Sequence, residues 1–216
     1  MIISEENLQI LKAIMGKTGD NKFRPLRVDS STHSLQTLTY EHHEIHEGRS
    51  FSASYSLTTA ATDGHRTGIY LKTPSEREMH MVMSFSATTA ANLSIHESPV
   101  IDANAGTHTT PIYNRDRNSL NTSGCKNNAT APLAAFITTL TEAQIAGASF
   151  TAGTVLRTEP LRVGDSPKPA GGANRDAAEY ILKKDTAYIF LLTNTAASAN
   201  THYILVDWYE HLKREA

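Results

Sequence analysis

The sequence predicts a mainly β protein: an antiparallel β-sandwich of jelly-roll type, with a short N-terminal helix and an extended arm in front of it. Three observations carry this expectation. The stretch EMHMVMSFSAT sets Met79, Met81, Met83 and Phe85 on one face of a strand, which is the period-two pattern of a half-buried strand. Roughly eight or nine such short segments follow the arm, parted by Gly, Pro, Asn and Thr loops that read as turns. No run of helical segments lies between them. Parallel sheets need a crossover, usually a helix, so two antiparallel sheets packed face to face are the natural solution.

Taken in order, the first element reads as a helix. Ser4 can cap it, Glu5 and Glu6 suit the positive end of its dipole, and Gly16 can end it. Leu8, Leu11 and Met15 recur at helical spacing. A helix this short is marginal in isolation, so it must dock on its own domain or on another subunit. From Lys17 to Gln36 the text turns polar and is broken by Gly19 and Pro25. This predicts an extended connector anchored by Phe23, Leu26 and Val28, and the clearest domain boundary. The division expected is 1–38 as a docking arm and 39–216 as the sandwich.

The segment TYEHHEIHEG, 39–48, crowds His42, His43 and His46 among Glu41, Glu44 and Glu47. The helical metalloprotease motif spaces its histidines at i and i+4 with a glutamate beside the first. Here His43-Glu44-Ile45-His46 spaces them at i and i+3, so that geometry fails. Read as the first strand of the sandwich, the segment puts His42, Glu44 and His46 on one face. Those three are the candidate metal ligands, and further ligands would have to come from His33, His65, His80, His96, His108, His202 or His211, which show no paired spacing. Hydrogen-bonded or interface histidines are the blander expectation. At an interface they would make assembly sensitive between about pH 5 and 7, where imidazoles charge.

Strands are then expected in RSFSASYSL, GIYLKTP, EMHMVMSFSAT, NLSIHES, TPIYN, PLAAFITTL, SFTAGTVLRTEPL, AEYILKK, TAYIFLLTNT and NTHYILVDWYEH. The last sets His202, Ile204, Val206 and Trp208 against Tyr203, Leu205, Asp207 and Tyr209. SLNTSGCKNNATAP reads as an exposed excursion, and VGDSPKPAGGANRD as a loop with little to pack. In NRDRNS, Arg115 and Arg117 flank Asp116, either gripping a carboxylate on a neighbouring chain or pairing locally.

At 216 residues and 39% hydrophobic the chain can bury a real core. A net charge of -2 and a pI near 6.5 argue against nucleic-acid binding through a positive field. The lone Cys125 permits no intrachain disulfide, which suits folding in a reducing cytoplasm. The first residues do not have the pattern of a secretory signal, and no apolar run approaches the ~20 residues of a membrane span. A phosphate-binding Gly loop and a Gly-x-Ser-x-Gly elbow are both missing from the sequence. Carboxylates such as Glu78 with Glu97 or Asp207 offer only the generic pairs of any sandwich. The expectation is a non-enzymatic protein with no cofactor, no nucleic acid and no membrane.

FRPLRVD, YEHHEIHEGRSF, IYNRDRNS, RDAAEYILKKDTAYIFLLTNTA and DWYEH, in that order, together resemble a family of tailed-bacteriophage virion proteins. The resemblance spans roughly Phe23 to His211. It implies β-sandwich modules that decorate capsids or contribute to head fibres and tail structures, and it carries no catalytic residue onto this chain. The expected role is a capsid decoration or cement protein, made in the host bacterial cytoplasm and placed on the capsid surface. Its expected partners are the major capsid protein, other virion proteins and copies of itself. Interface candidates are Leu8, Leu11, Met15, Phe23, Arg24, Leu26, Arg27, Arg115 and Arg117. A tail, fibre or portal-adjacent position is the alternative. A third reading is a carbohydrate-binding module using Tyr203, Tyr209 or Trp208 as an aromatic platform for a surface glycan.

Overall fold

The structure, a computed structural model, describes residues 15–17, 23–25, 40–60, 63–101, 109–127, 136–140, 142, 145, 151, 153–161, 168–169 and 179–211. The chain falls into two compact units, Met1–His43 and Glu44–Ala216. The division lies within a helix, α1, at Tyr40–His46.

In the first unit, β1 (Met15–Lys17) pairs antiparallel with β2 (Phe23–Pro25). This corrects the expected helix end. Met15 and Gly16 lie on a strand, where pairing satisfies backbone groups that a terminal helical turn would leave open. Phe23 and Arg24 are likewise in a strand rather than a structureless connector. Leu8, Leu11, Leu26 and Arg27 lie outside the described residues.

The second unit is an antiparallel sandwich. Its strands are β3 (Ser50–Ala60), β4 (Arg66–Lys72), β5 (Glu78–Ala87), β6 (Ala91–Glu97), β7 (Thr109–Pro111), β8 (Tyr113–Asn114) and β9 (Phe136–Leu140). They continue with β10 (Thr154–Leu161), β11 (Lys168–Pro169), β12 (Tyr180–Leu182), β13 (Ala187–Asn194) and β14 (Asn200–His211). One sheet runs β11-β5-β14-β3-β8, with β12 also on β5, and the other runs β10-β6-β13-β4-β9-β7. The inner order β12-β5-β14-β3 over β10-β6-β13-β4 is that of a jelly roll, in which successive inner strands alternate between sheets except for β6 and β10, which are neighbours in one sheet. Strands β7 to β9, inserted between β6 and β10, extend one edge of each sheet.

The core lies where period-two alternation places it. Met79, Met81, Met83 and Phe85 of β5 are buried, with Phe51 and Ala53 of β3 and Ile204, Val206 and Trp208 of β14. They meet Ile69 and Leu71 of β4, Leu93 and Ile95 of β6, and Tyr188, Phe190 and Leu192 of β13. Strands β4 and β13 are buried on both faces: Tyr70, Ile189 and Leu191 join Leu140 and Ile145 in a second apolar cluster. His202 is a polar member of the inner face. Its Nδ1 lies 3.1 Å from the Thr67 hydroxyl, linking the two sheets through the core.

The histidine segment is a helix, not the first strand. Its C-terminus explains why: the Gly48 N–H donates to the Ile45 carbonyl and the Arg49 N–H to the Glu44 carbonyl, each at 2.9 Å. These are the two bonds of a Schellman ending, with Gly48 in the left-handed region at φ 66°. The Glu-Gly-Arg sequence thus terminates a helix just before β3 begins. A β-carbon at Gly48 would lie 2.1 Å from the Ser119 hydroxyl oxygen. Gly48→Ala is therefore expected to cost about 1–3 kcal/mol through positive-φ strain and the clash. Urea unfolding checks this, and an unchanged midpoint would mean that this ending is not required.

Candidate functional site

One end of the β11-β5-β14-β3-β8 sheet, where β3 and β5 begin and β14 finishes, gathers Glu78, His80, Tyr209, Glu210 and His211. Chain segments distant in sequence are sewn together there. Asn114 Nδ2 donates to the Gly48 carbonyl at 2.8 Å, and Asn121 Nδ2 to the Glu47 carbonyl at 3.2 Å. The Glu210 N–H donates to the Arg49 carbonyl, and the Ser50 hydroxyl to the Trp208 carbonyl. Parts of YEHHEIHEGRSF, IYNRDRNS and DWYEH are thereby brought to a single locus.

Beneath this end lies a buried carboxylate. Glu210 Oε1 accepts from the Ser123 hydroxyl, the Gly124 N–H and the Trp208 indole N–H. Its Oε2 accepts from the Gly124 N–H at 3.0 Å and faces Arg77 Nη1 at 3.5 Å. The excursion expected at SLNTSGCKNNATAP is exposed at Leu120, Asn121 and Thr122 but turns inward at Ser123. Ser123, Cys125 and Asn127 are buried, and Lys126 exchanges both backbone bonds with Lys72. Burial, with the Glu210 charge beside it, pushes the Cys125 thiol well above its ordinary value. That makes it a packing group rather than a thiolate nucleophile.

On the outward face of the same end, β14 pairs with β5 so that Tyr209 lies opposite His80 and His211 opposite Glu78. His80 and Tyr209 are stacked, with ring centroids 4.7 Å apart, and His80 and His211 centroids are 4.8 Å apart. The Nε2 atoms of His80 and His211 are 2.9 Å apart. His80 Nδ1 faces the Tyr209 hydroxyl at 3.1 Å and Glu179 Oε2 at 3.5 Å. One potential ligand atom from each of Glu78, His80 and His211 lies within 4.8 Å of the others.

The candidate ligands His42, Glu44 and His46 do not converge in this way. On a helix, positions 42 and 46 share a face while 44 lies on the other side, and Glu44 is buried while His42 and His46 are exposed. Arg115 and Arg117 are engaged within the chain. Arg115 Nη1 reaches the Ser50 hydroxyl at 3.4 Å, and the Arg117 guanidinium lies 5.5 Å from the centre of the Tyr113 ring. Two of the three alternative glycan platforms are corrected. Strand alternation sends Trp208 into the core, Tyr209 is 5% exposed against His80, and of these three rings Tyr203, at 36%, faces solvent.

Sequence spacing alone misses the outward cluster, because 131 residues separate His80 from His211. The available local signals were Glu78-x-His80 and Tyr209-x-His211, two strand pairs each pointing to one face. No protein-family model matches the chain, and no curated protein matches it.

Proposed function

We propose that this chain is a non-enzymatic structural protein of a tailed-phage virion, a decoration or cement protein on the outer shell of the head. The observation that carries the reading is a jelly-roll sandwich closed without disulfides, preceded in the sequence by a separate compact unit. Jelly rolls recur in capsid and lectin domains. The motif resemblance supports the same role. In this reading the N-terminal unit, with Phe23 and Arg24, contributes to the ~1,200–2,000 Å² that a stable contact buries. Its partners are the major capsid protein, other virion proteins and further copies of this chain. The exposed Tyr203 ring gives the glycan-binding alternative its remaining support.

Quantitative mass spectrometry of purified virions tests the proposal. A ratio to the major capsid protein near one, or a simple fraction of it, is expected for decoration. A ratio of a few per cent would move the protein to a tail, fibre or portal-adjacent position, and its absence from particles would overturn a virion role.

A further inference from the structure

We propose that Glu78, His80 and His211 form a binding site for a divalent transition-metal ion of the zinc class, on the outward face of the β5-β14 pair. The β-ladder supplies the convergence. Glu78 and His80 are two residues apart on β5, so their side chains share a face, and the register sets His211 directly opposite Glu78.

The orientation of His80 is what distinguishes this group from a chance cluster. Its Nδ1 is turned toward the Glu179 carboxylate and the Tyr209 hydroxyl. A carboxylate on one ring nitrogen holds the proton there and leaves the other nitrogen's lone pair free for a ligand, the usual arrangement behind a metal-bound histidine. That other nitrogen, Nε2, lies 2.9 Å from Nε2 of His211 and accepts its N–H, so a bound ion would take the place of that shared proton while His211 moves its own proton to Nδ1. Stacking of both rings with Tyr209 fixes their planes. His80 and Glu179 retain 13% and 18% side-chain exposure, so the site is sheltered yet reachable from solvent.

Two imidazoles and a carboxylate without thiolate suit Zn²⁺, Co²⁺ or Ni²⁺ better than Ca²⁺ or Mg²⁺, which prefer all-oxygen shells. Zn–N bonds of 2.0–2.1 Å at a tetrahedral angle set two nitrogens roughly 3.3 Å apart. The imidazoles therefore need to open by only a few tenths of an ångström from their 2.9 Å separation. Three protein ligands leave a coordination position for water or for a group on another molecule. A bound ion would fasten the start of β5 to the end of β14. Through Glu179 it would also steady the chain entering β12.

The test uses the full-length protein stripped of metal with EDTA and dialysed. Isothermal titration with ZnCl2 is expected to show saturable binding of one ion per chain, with a rise in melting temperature that MgCl2 and CaCl2 do not reproduce. H80A, H211A and E78Q should each abolish or strongly weaken that binding, and melting without metal checks that each variant folds. E78Q preserves side-chain shape at the start of its strand should a histidine variant misfold. As a positioning residue, Glu179→Gln should weaken affinity about 10–100-fold at unchanged stoichiometry. The H42A/H46A double variant should bind as wild type. Absence of saturable zinc binding in the wild type would overturn the site, as would binding that survives H80A and H211A or is lost in H42A/H46A. None of these outcomes depends on where the protein resides, so the virion reading is tested separately.

Discussion

Glu210→Ala is expected to destabilise the sandwich by roughly 3–5 kcal/mol, because several donors lose one shared buried acceptor at once. The Glu210 side chain is fully buried and is the shared acceptor for Ser123, Gly124 and Trp208. Truncation leaves two buried donors, on Ser123 and Trp208, and the part-buried Gly124 N–H without that acceptor. An unmade buried hydrogen bond costs about 1–3 kcal/mol for each group, so several losses at one site set the scale even after partial relaxation. Glu210→Gln keeps the volume but turns an amide N–H₂ toward groups that themselves donate, and should lose a smaller amount, about 1–3 kcal/mol. Denaturant unfolding of the three proteins measures the series. If alanine cost under about 1 kcal/mol, water would have to replace the carboxylate without penalty, and the loop around Cys125 would not be anchored as described.

Acidification is expected to weaken the fold through His202, before most carboxylates titrate. Burial, and then the nearby His65, lowers the His202 pKa from 6.5 to about 4. Above pH 6.5 the imidazole is neutral in both folded and unfolded chains and contributes no pH dependence. As pH falls below 6.5 the unfolded chain takes up a proton that the folded chain refuses. Stability therefore declines until the folded state also protonates near pH 4. Across that window the loss is roughly 2–4 kcal/mol. Urea midpoints for wild type and His202→Gln between pH 7.5 and pH 4 isolate the effect, because carboxylate contributions common to both proteins cancel. The variant should show a flatter profile, and parallel profiles would mean that His202 is not the group responsible.

These expectations rest on strands whose faces were legible in the sequence. The alternation of Met79 to Phe85 is a local property, and it assigned the buried face of that strand correctly; in the last strand alternation separated the two faces, and packing decided that His202, Ile204, Val206 and Trp208 face inward. The histidine segment misled because i, i+2 and i, i+3 relations coexist within a few residues. The deciding signal was the Gly48 that closes a helix, and its two bonds are visible only once the chain is folded. The stretch around Cys125 is polar and glycine-containing, so it reads as surface. It is buried because one distant carboxylate satisfies its backbone and hydroxyl donors.

By itself, then, the sequence determined the sandwich class, its antiparallel pairing, the inward face of β5 and a disulfide-free core. Periodicity and composition depend only on neighbouring residues, and those residues are always in view. The tertiary structure alone decided that Glu78 and His80 meet His211, that Glu210 anchors the Cys125 stretch, and that His202 bonds across the sheets to Thr67. Such meetings depend on strand register and sheet packing, which bring together residues separated by 86 to 135 positions. No local spacing encodes which partner a given side chain will face across a sheet.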